Sequence, residues 1–358
     1  MEQICRELHA GKHVRVESVD HIDPMSSVGG PRKPRPVDIQ IHLEVPCRAA
    51  WSWARYNVVV VNPEWWPATA WDWTTAPKER GGADLLIFKS EHARRLFPEL
   101  EGKRSRVLKW RAGPEIQTAL CSLAKSPPVR EFLYLIGASA NKLAAAHVVC
   151  GAWASRGAGW PPLRVVGTEK VIAELKAAAF ALPAPPANLV FQTSYPDDSS
   201  RIAAQAGYAY HVVASVAEGF GYTFAEAASV GALPLWTDIP VYKELWEGIV
   251  GNVGVILRSG ESPTESKYRD AIIPAAAWTA ADVARGVESL LSLSAEDEAR
   301  LRGALRHAAT TRVKEFRHEW RNILGAVEHR LHSVPTLKIP PKPLAAADLP
   351  HVAVITIT

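Results

Sequence analysis

At 358 residues the chain is long enough for two domains, each with its own core. Hydrophobic residues make up 47% and charged residues 22%, a globular balance that excludes fibrous and disordered classes. No apolar run approaches the ~18 residues that span a bilayer, residues from Met1 onward lack a basic-then-apolar leader pattern, and a net charge of +4 suits anionic small ligands without establishing nucleic-acid binding. The setting these features predict is cytoplasmic. There the four scattered cysteines, Cys5, Cys47, Cys121 and Cys150, are reduced and structural, with no metal-ligand spacing among them.

In the first third of the chain the pattern predicts a helix over 3–10 and alternating strands over 13–19 and 38–45. The basic, turn-rich segment 26–36 between them reads as a solvated loop. Residues 57–62 (NVVVVN) form an uninterrupted β-branched run, the mark of a central parallel strand covered on both faces. Ligands of open α/β sheets gather at the C-terminal ends of such strands. Glu64, Trp65 and Trp66 follow this one directly and are candidates for the acceptor side of a cleft. Six of the thirteen tryptophans crowd between Trp51 and Trp73, where indoles serve either as core filler or as platforms for sugar faces. A strand over 83–89, a helix over 90–97 and a strand over 105–111 complete this part.

The Ser-Pro-Pro break in 125–129 predicts an interdomain linker. A new α/β series follows, with strands over 131–136, 163–167 and 188–193 and helices running to Trp153 and over 168–181. The loop 137–142 carries Ser139, Asn141 and Lys142 ahead of the first of these helices. Lys170, at the start of the second, reads as exposed. Asp197 and Asp198, in a loop over 194–200, read as a helix cap rather than a metal pair. The most informative stretch is 208–245. It reads as strand 210–214, glycine loop Glu218-Gly219-Phe220-Gly221, helix 223–230, left-handed cap at Gly231 and strand 233–236. Glycines let the backbone turn sharply and approach a ligand closely. The helix behind them presents free amides and a positive dipole end, which suits a phosphate. Glu218 and Glu226 flank that anion site and are placed to accept hydrogen bonds from hydroxyls. A short strand over 254–257 and helices over 280–291 and 295–331 come next, with Leu301, Leu305, Trp320 and Leu324 as packing residues. Residues 333–348 read as a linker, and 350–358 as a β-branched strand.

Glu218 and Glu226, with seven residues between them within EGFGYTFAEA and followed by a Gly-Ala, a strand and an Asp-x-Pro turn, resemble the Glu-x7-Glu motif of retaining GT-B glycosyltransferases, family 4 in particular. The resemblance implies an α/β fold of two Rossmann-like parallel-sheet domains facing a cleft. The N-terminal domain would cover 1–127 and the nucleotide-sugar donor domain 128–293, with bracing helices over 294–332 and a linker and strand over 333–358. GT-B proteins begin with a strand and a glycine loop, which this chain lacks at its start. The final strand either folds back to fill that place or opens a following domain.

The resemblance also implies roles. Lys142 with Ser139 and Asn141, and Gly219, Phe220, Gly221, Tyr222 and Thr223 at the glycine loop, would hold the donor diphosphate. Glu226 would hold the ribose, and Glu218 the sugar hydroxyls near the anomeric carbon. The family's basic residue just after the first glycine is Ala138 here, so one cation is absent. The implied activity is metal-independent hexosyl or pentosyl transfer, without a cofactor, from a UDP- or GDP-linked sugar to a glycan or small hydroxyl acceptor. Two other readings stand beside it: a non-catalytic nucleotide-sugar or glycan-binding module, and a DNA-modifying glycosyltransferase in which Arg32, Lys33 and Arg35 track phosphates.

Overall fold

The computed structural model describes residues 15–20, 37–44, 51, 54–63, 82–97, 104–112, 119, 128–137, 140–180, 187–195, 197–258, 260–261, 276–333 and 351–356. The predicted helix over 3–10, the basic loop 26–36, the break at 125–127 and all of the predicted linker 333–348 beyond Ser333 lie outside them. The described residues fall into two compact units. One holds those up to Lys109 and those from Lys314 onward, and the other those from Trp110 through Val313.

The first unit is built on a six-stranded, fully parallel sheet. In chain order its strands are β1 (Arg15–Asp20), β2 (Val37–Glu44), β3 (Ala54–Val61), β4 (Leu85–Phe88) and β5 (Ser105–Val107), with helix α1 (Glu91–Arg95) after β4. A last strand, β14 (His351–Thr356), lies between β1 and β2, with Arg15 opposite His351 and Ile39 opposite Val352. Of the two readings of that segment, folding back into the first sheet is the one that describes its pairing. From Tyr56 to Val61 β3 is buried at every residue, as a strand covered on both faces must be. Its polar residues are answered internally: the Asn57 amide donates to Asp84 Oδ2 at 2.8 Å, and the Asn57 Oδ1 lies 3.2 Å from His42 Nε2. β5 is shorter than the sequence pattern suggests. The Leu108 amide still reaches the Phe88 carbonyl at 2.9 Å, but the Lys109 amide donates to Glu319 at 2.9 Å, and that bond ends the ladder.

The second unit is a doubly wound α/β sheet. β6 (Val129–Leu135), α2 (Ala140–Arg156), β7 (Leu163–Gly167), α3 (Glu169–Phe180), β8 (Leu189–Thr193), α4 (Asp198–Gly207), β9 (Tyr208–Val213), α5 (Tyr222–Val230), β10 (Leu233–Thr237) and β11 (Val255–Ile256) follow one another. The spatial order is β11-β10-β9-β6-β7-β8, all parallel. The chain winds outward from β6 to β8, then returns to pair β9 on the other side of β6. That reversal opens a crevice at the C-terminal ends of β6 and β9, where open α/β sheets bind their ligands. A two-residue ladder, β12 (Gly260–Glu261) with β13 (Ala276–Ala277), precedes α6 (Ala280–Leu291).

Two elements here differ from the sequence pattern. Residues 198–207 are helical because Asp197 caps them, its Oδ1 accepting from the Ser200 amide at 2.7 Å. Residues Lys243–Glu247 form a π-helical turn after β10. It sets Trp246 in a parallel stack on Phe224 of α5, centroids 4.9 Å apart, with Arg312 over the outer indole face. A single helix, α7 (Ala295–Ser333), places Leu301 and Leu305 in the second unit and Phe316, Trp320 and Leu324 in the first, all buried. Among the described residues no helix is long and apolar enough to cross a membrane.

Candidate functional site

A cavity of about 240 Å³ sits at the reversal point of the second sheet. Its floor is the end of β6, Tyr134 through Gly137, and the end of β9, Val212 through Ser215. Its charged walls are Lys142 from α2, Arg201 from α4 and Glu226 from α5, with Thr223 beside the last. Burial pushes the Tyr134 hydroxyl well above its ordinary range, so it remains a neutral donor, 3.4 Å from the Ala214 carbonyl.

The glycine loop is built by sterics. Gly221 has φ +86° and caps α5 from the left-handed region, where a Cβ would overlap the Tyr242 ring. That ring is fully buried and meets Phe224 edge-on, centroids 5.3 Å apart. Gly231 closes the same helix at φ +71°, as the pattern predicts. The loop therefore passes tightly over an aromatic bed formed by Tyr242, Phe224 and Trp246.

Each glutamate of the motif has a cation. Glu218 is 7% exposed, and its Oε1 accepts from Ser215 Oγ at 2.8 Å, with Lys142 Nζ 3.9 Å away. Ser215 is itself fixed, its carbonyl accepting from Thr237 Oγ1 at 2.7 Å. Lys142 folds across Gly137, where a Cβ would come within 2.9 Å of its Cδ. Glu226 Oε2 accepts from Gln205 Nε2 at 2.6 Å and from Arg201 Nη1 at 3.2 Å. Arg201 also spreads Nε and Nη2 onto Asp198 Oδ1, both at 3.2 Å. Gln205 is fully buried, and His211 holds its backbone, Nε2 lying 2.9 Å from the Gln205 carbonyl. A carbonyl oxygen only accepts, so Nε2 carries the proton. Burial lowers the His211 pKa to about 4 and keeps the ring neutral.

Of the sequence-derived candidates, Lys142, Thr223 and Glu226 line the cavity, and Glu218 joins it through Lys142. Phe220 is 2% exposed and packs edge-on against Tyr222; Tyr222 is 39% exposed, and its hydroxyl accepts from Trp110 Nε1 at 2.8 Å. Gly219 is buried in the loop, and Lys170 is exposed. Ser139, Glu64, Trp65, Trp66, Arg32, Lys33 and Arg35 lie outside the described residues, as does the side chain of Asn141. Asp197 and Asp198 begin α4, Asp197 as its cap. Arg201, Gln205 and Ser215 were not legible as site residues. The available signal was the spacing of Arg201 and Gln205, one turn apart behind a capping aspartate, which puts both on one helix face.

No protein-family model and no curated protein sequence matches the chain. Solved structures do. A glycosyltransferase from Rickettsia africae superposes with TM-score 0.58 at 14% identity, over 81% of this chain and 77% of that one. A trehalose 6-phosphate synthase from Burkholderia multivorans gives 0.56 at 11%, over 84% and 73%. A trehalose-6-phosphate structure from E. coli, bound with UDP-2-fluoro glucose, gives 0.53 at 11%, over 84% and 74%. With its two Rossmann-like parallel sheets, the chain has the GT-B glycosyltransferase fold.

Proposed function

We propose that the chain is a retaining glycosyltransferase that moves a sugar from a nucleotide-sugar donor to a glycan or other hydroxyl acceptor, in a cytoplasmic setting and without a metal. One observation carries this reading: Glu226 of the Glu-x7-Glu motif lines the cavity at the reversal point of the second sheet beside Arg201, and Glu218 is joined to that cavity through Lys142. Family 4 is the family whose motif these residues resemble. The E. coli neighbour bound with UDP-2-fluoro glucose supports a UDP-linked donor.

In the proposed mechanism the donor diphosphate lies against Lys142, the Gly219–Gly221 amides and the start of α5. These donors stabilise negative charge as the bond from the anomeric carbon to the phosphate oxygen breaks. Glu226 takes the ribose hydroxyls through the oxygen that Arg201 and Gln205 leave free. Glu218, held by Ser215, orients sugar hydroxyls while positive charge develops at the anomeric carbon. The acceptor oxygen forms its bond on the face the phosphate leaves, and its proton passes to the departing phosphate oxygen. Nucleoside diphosphate is released. Residues 128–293 would form the donor domain, and Glu64, Trp65 and Trp66 are the acceptor-side candidates.

A thermal-shift screen against UDP-, GDP-, ADP- and TDP-sugars tests the donor reading and names the base. The sugar whose donor stabilises the chain should also be transferred, and Glu226→Ala should raise donor KM without unfolding the protein. Donor binding with no hydrolysis or transfer across a broad acceptor set would favour the non-catalytic module. No shift with any nucleotide sugar would refute both.

A further inference from the structure

The donor site lacks a basic residue at 138, yet its cavity contains a guanidinium from a different βα unit. We infer that Arg201 replaces the missing cation and binds the α-phosphate of the nucleotide, so that the diphosphate lies between two ion pairs. This inference rests on the donor-site reading above and adds an order to it.

The order follows from which glutamate each cation accompanies. Arg201 stands at Glu226, 3.2 Å away, the carboxylate assigned to the ribose. Lys142 stands at Glu218, 3.9 Å away, the carboxylate assigned to the sugar. In a nucleotide sugar the α-phosphate is bonded to the ribose and the β-phosphate to the sugar. Arg201 therefore meets the α-phosphate and Lys142 the β-phosphate. No other pairing keeps both glutamates in their roles.

The local chemistry favours such an exchange. The Arg201 side chain is 25% exposed and that of Asp198 80% exposed, so the contact between them is weakly held in water. Glu226 keeps its shorter bond, 2.6 Å from Gln205, when the arginine turns away. Gln205 is anchored by His211, so Glu226 stays oriented throughout. A planar guanidinium with five donors meets two phosphate oxygens at once, which the lysine ammonium does not. The arginine thus waits on carboxylates that a dianionic ligand outcompetes.

Titration of nucleoside, nucleoside monophosphate and nucleoside diphosphate separates the two cations. Uridine, UMP and UDP are followed by ligand-observed NMR, with the guanosine series in parallel. Arg201→Gln should weaken UMP and UDP alike, by roughly tenfold or more, and leave uridine unchanged. Lys142→Gln should weaken UDP by a similar factor and spare UMP. Arg201→Lys, which keeps the charge and guards against a folding defect, should recover part of the UMP affinity but not all of it, because the ammonium lacks the bidentate contact. Equal losses for uridine and UMP in Arg201→Gln would mean that Arg201 acts only through Glu226, and would overturn the inference. Unchanged UMP binding would overturn it too. Failure of the wild-type chain to bind any of the six ligands, with no shift from an ADP- or TDP-sugar either, would instead overturn the donor-site reading itself.

Discussion

The glycine loop rests on one steric demand, and Gly221→Ala tests it directly. Two costs add at this position. An alanine in the left-handed region loses about 1–2 kcal/mol relative to glycine, and Gly221 sits there at φ +86°. Its new methyl would also overlap the Tyr242 ring, which is buried and gripped by Phe224, itself stacked on Trp246. Overpacking of a tight core costs about 1–3 kcal/mol, so the substitution should destabilise the second unit by about 2–5 kcal/mol. Trp236 and Trp246 border the same aromatic bed. Urea unfolding followed by tryptophan fluorescence therefore includes a signal from the site among those of the other buried tryptophans. A Tyr242→Ala partner variant isolates the clash. Combined with Gly221→Ala, it should cost less than the sum of the two single changes by about 1–3 kcal/mol, because only the backbone term remains. Strict additivity, or an alanine variant within about 0.5 kcal/mol of wild type, would refute the steric account of the loop.

Three further outcomes follow from the same geometry. Ser215→Ala removes the hydroxyl that donates to Glu218; it should destabilise by about 1–3 kcal/mol and lower turnover while leaving nucleoside diphosphate affinity intact, whereas a matching loss of affinity would move Ser215 out of its positioning role. His42 and His211 are buried, and burial lowers both from about 6.5 to about 4. The unfolded chain then binds protons that the folded one refuses, so stability is full above pH 6.5 and drops as pH falls toward 4, by about 1.4 kcal/mol per pH unit for each ring. His42 belongs to the first unit and His211 to the second, so in denaturant unfolding between pH 6.5 and 4.5 His211→Gln should flatten the slope of the second unit alone; equal flattening in both would show that the assignment is wrong. Thr279→Ala breaks a capping box in which the Asp282 carboxylate accepts from the Thr279 amide at 2.7 Å; the cost should be about 1 kcal/mol by urea unfolding, with nucleotide binding unchanged.

What could be read from the sequence was set by local chemistry. The β-branched run of β3, the glycines at 221 and 231 and the small-residue helix between them leave the backbone few alternatives. The sheets and the loop were therefore legible. The α4 helix was signalled only by its cap, because its ten residues hold a single large apolar side chain, Ile202, and it is secured by Asp197. The π-helical turn was hidden for another reason. Its widened backbone accommodates the stack of Trp246 on Phe224, a contact between residues 22 apart in sequence and set only by tertiary packing. Most of the tryptophans whose positions are described fill cores, Trp153, Trp236, Trp246 and Trp320 at no more than 1% exposure. Composition alone does not separate that use from sugar stacking.

The absent cation at 138 and the unexpected one at 201 have a common explanation in the winding of the sheet. On the β6 side, Lys142 reaches the crevice from α2, the helix that follows position 138 in sequence. Arg201 reaches it from the β9 side, through α4, the helix that leads into that strand. The reversal between β6 and β9 makes these two approaches converge on one cavity, so either side can supply charge to a ligand there. Supplying it from α4 has a consequence that supply from the β6 loop lacks. A cation on α4 also meets Glu226, and without ligand the two neutralise each other across 3.2 Å. A donor bound as proposed would have to separate them, at a cost limited by Gln205, which remains on the carboxylate. In the proposed site, affinity for the phosphate would thereby be coupled to the freedom of Glu226 to take the ribose. A ligand that carries ribose and phosphate together gains from both, while inorganic phosphate must break the pair without the ribose contacts that offset the loss.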